Sequence, residues 1–218
     1  MNARLVAAAR AVAAMQERLP RAQEIGGDLA VQTLRRQVAE HDPLRFALTY
    51  LPHHLKDAEG RISLSAVHEE WCDAALAWGT PARPGEERDA YIAPRETGKS
   101  TWFFLLLPMW AAATGKVKFA AAFADSAPQA EGHLTTFKRE LDENPRLRED
   151  YPDLCAPAVR PRGAQVADNR AMLHTRAGFV FAARGIDSGN LGMKVGALRP
   201  DLLILDDVEP GEANYSAY

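Results

Sequence analysis

The chain has 218 residues, 47% hydrophobic and 25% charged, which excludes global disorder, a collagen-like fibre and a disulfide-stapled miniprotein. Its 26 basic and 29 acidic residues give a net charge of −3, excluding a wholly basic nucleic-acid coat but not a local basic face. Cys72 and Cys155 lie 83 positions apart without CxxC spacing, which suits a reducing compartment and argues against structural zinc.

Residues 1–41, rich in Ala, Leu, Gln and Arg, read as helix broken by Pro20 and the Gly26-Gly27 pair. This segment is either a solvated helical hairpin at a domain edge or a partner- or DNA-binding arm. Arg10 interrupts any signal-peptide core. Residues 43–57 and 63–79 read as two helices around a turn at Glu59-Gly60, with Ser65 as cap and Glu69 near the capping-box position. Residues 80–87, carrying two Pro and one Gly, divide this helical lead-in from an α/β core. Beyond them, residues 88–93 read as a short buried strand and 99–113 as an apolar helix. The apolar run 102–113 falls well short of the ~20 residues a membrane span needs. A second strand over 116–125 leads into a helix capped by Ser126 and running to about Glu143. A Pro/Arg-rich stretch (145–163) follows, then a hairpin of 170–175 with 179–183 about Ala177-Gly178. Gly185, Gly189, Gly192 and Gly196 punctuate a loop flanked by Arg184 and Lys194, and 201–207 (DLLILDD) read as a buried strand. Strands alternating with helices predict an α/β fold with a parallel sheet covered on both faces.

The strongest chemical signal is Ala93-Pro94-Arg95-Glu96-Thr97-Gly98-Lys99-Ser100-Thr101. It matches the phosphate-binding pattern G-x4-G-K-[ST] except at its first position, where Ala93 replaces Gly. In that pattern backbone N–H groups wrap a phosphate, the lysine neutralises β- and γ-oxygens, and the hydroxyl of Ser100 joins a Mg²⁺ shell. Glu96 must point outward or pair with a cation such as Arg95, and Arg95 is also placed to stabilise γ-phosphate charge. Gly115-Lys116 is a decoy, followed by Val117.

The second signal is the apolar strand ending in Asp206-Asp207, 107 residues after Lys99. A carboxylate at the C-terminal end of a parallel strand sits where such sheets bind ligands. Asp206 is the candidate for holding Mg²⁺ through water, and Asp207 or Glu209 for orienting the attacking water. The two motifs are expected on neighbouring strands of one sheet. His53, His54, His68, His133 and His174 show no metal spacing and read as solvated or capping residues, and Trp71 and Trp78 as core.

In order and spacing these motifs resemble the large terminase subunit of tailed bacteriophages, the ATP-driven motor of DNA packaging. The similarity rests on APRETGKST, on KFAAAFADSAPQAEGHLTTFKREL with its following NPRL, on ARGIDSGNLGMKVGALRP and on DLLILDDVEP. LPHHL and VHEEW precede them, so that roughly residues 43–218 are covered. The resemblance implies a P-loop NTPase (RecA-like) fold: a mainly parallel sheet with helices on both faces. Residues 1–42 would be an N-terminal helical segment and 43–218 the ATPase domain. It implies that the chain is an ATP hydrolase, binding ATP and Mg²⁺ and powering translocation of double-stranded viral DNA into a procapsid. The expected setting is the host cytoplasm, as a homo-oligomeric ring with small terminase subunit and portal protein, and no membrane. By position, Lys99 and Ser100 or Thr101 would bind phosphates and Mg²⁺, and Arg95 would be the loop arginine. Asp206 would be the metal carboxylate, and Asp207 or Glu209 the catalytic acid. Only 11 residues follow Asp207, so a nuclease domain and brisk turnover are not expected of this chain. The alternatives are another P-loop motor or helicase acting on nucleic acid, and a nucleotide-binding remnant without turnover.

Overall fold

The computed structural model describes residues 3–79, 89–94, 96–159, 163, 168–186 and 193–206, and 57% of these are helical. The chain divides into two compact units, residues 1–116 with 144–152, and 117–143 with 153–218. No described helix is long and apolar enough to cross a membrane.

In the first unit α1 (Ala3–Ala39) is 37 residues long. Its Ala, Leu, Gln and Arg are strong helix formers, enough to carry it past Pro20. The break comes at Gly27 alone, whose φ of 61° and ψ of −154° are open to glycine. Leu5, Ala8, Val12 and Met15, spaced three and four apart, form its buried stripe. α2 (Pro43–Tyr50) starts at Asp42, whose carboxylate accepts the Leu44 N–H at 2.7 Å. A 3-10 turn (Pro52–Leu55) follows. The expected turn is present, with the Gly60 N–H donating to the Asp57 carbonyl at 3.0 Å. α3 (Ala66–Ala77) buries Trp71 and Cys72, and burial pushes the Cys72 thiol well above its ordinary value.

Polar contacts tie these helices together where apolar packing stops. Glu69 of α3 accepts the Leu5 N–H at 2.9 Å, satisfying a donor that the first turn of α1 leaves open. Arg4 pairs with Asp42 at 2.7 Å and with Asp73. At the far end of α1, Arg35 makes a two-point bond to Asp150 (2.8 and 2.6 Å), which also accepts from the Tyr50 hydroxyl at 2.7 Å. Asp150 closes a helix (Pro145–Asp150) capped by Asn144, inside the stretch that reads from sequence only as Pro/Arg-rich.

Residues 99–113 are helical throughout, but in three pieces: α4 (Lys99–Thr101), a π-helical stretch (Trp102–Leu106) and α5 (Leu107–Ala113). Pro108 explains the wide turn. It has no N–H for the Phe104 carbonyl, and its ring crowds that turn. The Leu107 N–H therefore reaches back five residues to Trp102.

The second unit holds a five-stranded sheet in the order β2-β3-β4-β1-β5, with β1 (Phe119–Ala124), β2 (Asp168–Asn169), β3 (Met172–His174), β4 (Val180–Gly185) and β5 (Leu202–Asp206). β1 pairs parallel with β4 and β5, while β2, β3 and β4 pair antiparallel. The β3–β4 hairpin falls where Gly178, at φ 86°, was expected to turn the chain. Ala120, Ala122, Phe181, Ile204 and Asp206 share one face by register. The long helix α6 (Ala127–Glu143) covers that face, with Phe137 against Phe181 at 4.9 Å. On the other face Phe119, Ala121, Val180 and Ala182 are covered by Met193, Val195 and Leu198, which lie in a turn and not in a helix. Leu203 and Leu205, on that same side of β5, are 64% and 62% exposed.

The RecA-like expectation is therefore corrected. The described residues are mainly helical, the small sheet is mixed, and one sheet face carries a turn segment where a helix was expected. Residues 89–93, the described part of the strand expected ahead of the candidate loop, form no strand. Ile92 is 99% exposed and Tyr91 turns back to pack on Phe103 at 4.8 Å. The loop therefore does not spring from a sheet strand. β5 likewise buries only one of its faces.

Candidate functional site

The loop residues Ala93, Pro94, Glu96, Thr97 and Gly98 precede α4, and Lys99, Ser100 and Thr101 form its single turn. Two residues take left-handed backbone on either side of Thr97: Glu96 at φ 68° and Gly98 at φ 73°. Glu96 is the one non-glycine residue with positive φ among the described residues, a conformation that costs on the order of 1 kcal/mol and concentrates at binding loops. A Cβ added to Gly98 would meet only Trp102, at 3.7 Å, so the backbone angle and not crowding calls for glycine there. Glu96 is exposed. The Thr97 hydroxyl donates to the Pro94 carbonyl at 2.9 Å and closes the curve. Trp102 donates its N–H to the Gly98 carbonyl at 3.0 Å, fastening the loop to the helix.

His68 of α3 was not marked by its spacing as a site residue. It is 6% exposed, and its Nε2 lies 2.9 Å from the Thr97 carbonyl oxygen. Its Nδ1 accepts the Ser65 N–H at 2.9 Å, so His68, rather than Glu69, closes the cap of α3. The imidazole stacks on Trp102 (5.1 Å, 15°) and meets Trp71 edge-on (5.2 Å). The separation of 29 positions between His68 and Thr97 leaves no local signal of this contact. Beside the loop, burial and the Asp89 carboxylate push the Tyr91 phenol up to about 12.

Asp206 ends β5, opposite Ala124 of β1 and 6% exposed, on the face covered by α6. Its charge partly offsets the burial that lowers the proton affinity of His133 on α6. Asp201 begins the strand, accepting the N–H groups of Lys118 and Phe119 at 2.9 and 2.8 Å, and so sets the register of β5 on β1. The loop residues belong to the first compact unit and Asp206 to the second. Arg95, Asp207 and Glu209 lie outside the described residues. The decoy Lys116 donates to the Leu76 carbonyl at 3.0 Å and lies over Trp110, a structural role.

The residue types suit a polyphosphate: left-handed backbone at Glu96 and Gly98, then a lysine and two hydroxyl side chains in sequence at the start of a helical run. No protein family, curated protein or solved structure matches the chain.

Proposed function

We propose that the chain is a nucleotide-triphosphate-binding ATPase of the phage terminase kind, its Gly98-Lys99-Ser100-Thr101 loop taking the phosphates of Mg·ATP to drive viral DNA translocation in the host cytoplasm. The observation that carries this reading is the loop's backbone, left-handed at Glu96 and Gly98 and running straight into Lys99. Peptide N–H groups in such a curve converge on an anion without the cost of ordering side chains. Lys99 supplies charge to the β- and γ-oxygens, and Ser100 or Thr101 a hydroxyl to the metal shell. Bound Mg²⁺ screens the triphosphate and draws charge from the γ-phosphoryl group. Asp206, a carboxylate at the end of a parallel strand, is the residue we assign to the hydrated metal. Asp207 or Glu209 takes the role of orienting water, and Arg95 that of stabilising γ-phosphate charge. Double-stranded DNA, a small subunit, a portal and a ring of copies are the partners this reading entails.

A second reading, binding without turnover, is favoured by one observation: the segment before the loop pairs with no strand. Rigid placement of the acids against the phosphates is what hydrolysis requires beyond binding. Titration with Mg·ATP and measurement of phosphate release separate the two. Lys99→Ala removes a charge-assisted contact of about 1.5–3 kcal/mol and is expected to weaken binding tenfold or more. Equal binding curves for the two proteins would overturn the proposal.

A further inference from the structure

We infer that His68 is a positioning residue of the phosphate loop, holding the Thr97 carbonyl so that the Gly98 N–H faces a bound polyphosphate. The inference rests on the nucleotide-binding reading above. Nδ1 of His68 accepts the Ser65 N–H, so in the neutral ring the proton sits on Nε2, which donates to the Thr97 oxygen at 2.9 Å. The ring cannot swing away: Trp102 stacks on one face, Trp71 meets it edge-on, and 6% of the residue is exposed.

The consequence for the loop follows from peptide geometry. A trans peptide points its C=O and N–H in opposite directions. With the Thr97 oxygen drawn toward α3, the N–H of Gly98 in the same peptide unit is turned to the opposite side, and both Glu96 and Gly98 are exposed. Glycine visits both signs of φ at little cost, so without a clamp this peptide unit has a flipped alternative presenting an oxygen to the anion. A carbonyl there would repel the phosphate that an N–H attracts. The bond from His68 selects the attracting orientation. Capping α3 needs only Nδ1, and a bond from Nε2 to a carbonyl 29 residues away adds nothing to that cap. The Trp102 N–H bonds to the Gly98 carbonyl, so the stack of His68 on Trp102 holds the loop and the following turn in one register.

The test uses the full chain, ¹⁵N-labelled, with Mg²⁺ and tripolyphosphate as probe, beside Mg·ATP titrations of H68F, H68Q and K99A. In the unmodified protein, long-range ¹H–¹⁵N spectra should show the His68 proton on Nε2, and the Gly98 amide resonance should move saturably with tripolyphosphate. H68F keeps an aromatic ring against Trp102 and removes the donor, and should bind both ligands about tenfold more weakly. H68Q, whose amide donates, should recover at least about threefold of that loss. Wild-type affinity in H68F while K99A has lost binding overturns the inference and leaves the nucleotide reading standing. A Gly98 amide that stays still while that of Lys99 moves overturns it too, whatever the variants do. Equal losses in H68F and H68Q assign the effect to packing and also count against it. If the unmodified protein binds neither ligand, the nucleotide reading fails and takes the inference with it.

Discussion

At the scale of single residues, one buried ion pair stands out in the first unit. The Asp150 carboxylate is fully buried and held by Arg35 and Tyr50, so removing the guanidinium leaves an uncompensated charge in the interior. Arg35→Ala is therefore expected to destabilise the unit by about 3–5 kcal/mol, read as a fall in denaturation midpoint, whereas Arg61→Ala on the exposed turn should change it by less than about 1 kcal/mol. Neither residue stands out in sequence, because Arg35 and Asp150 lie 115 positions apart and a long-range pair leaves no spacing to read. His68 is hidden for the same reason. The left-handed turn at Gly98 was legible because a loop of contiguous residues is a local device. Lys116 shows the limit of that legibility, since Gly-Lys alone does not distinguish a phosphate ligand from a lysine tied to the Leu76 carbonyl.

At the scale of elements, the sheet-forming segments were the most readable. β1, β3, α6 and β5 fall within the expected stretches, while β4 runs on to Gly185, two residues past the expected end, because the apolar runs, Gly178 and the bounding Asp residues are local signals and a strand end set by pairing with β1 is not. Of the strand expected over 88–93, the described residues 89–93 join no sheet: Tyr91 packs on Phe103 and Ile92 is exposed, and apolarity alone does not make a strand. The helix Pro145–Asp150 lies in a stretch that reads only as Pro/Arg-rich, although Asn144 as cap and proline at the first helical position together mark a helix start. α6 also carries a pH response. Burial lowers the proton affinity of His133 below its ordinary value of 6.5, with the Asp206 charge opposing. The unfolded chain then takes up a proton that the folded one resists, so stability is full above pH 6.5 and falls as pH drops below it. Urea midpoints at pH 7.5 and 5.5 should differ more for the natural protein than for His133→Leu, and identical pH dependence would refute the assignment.

At the scale of the whole molecule, the phosphate loop lies in one compact unit and the candidate metal carboxylate in the other. The helices of the lead-in were legible, α1 among them, but the ion pairs that join them and the small mixed sheet were not, because both link residues far apart in sequence. The nucleotide reading predicts that Asp206→Asn, a change of charge with little change of size, removes most of the Mg²⁺-dependence of ATP affinity. The comparison is between Mg²⁺ and EDTA, and the natural protein should show an enhancement of at least about tenfold that the variant lacks. Cys72 offers an independent clock for the same unit. Its thiol is buried in α3, the helix that also presents His68, and its proton is held tightly, so a maleimide can reach it only when α3 opens. Its alkylation rate should therefore be far slower than that of a denatured control, and on the nucleotide reading it should fall further with Mg·ATP, turning one inert sulfur into a gauge of how firmly a bound ligand closes the helix whose His68 touches the loop.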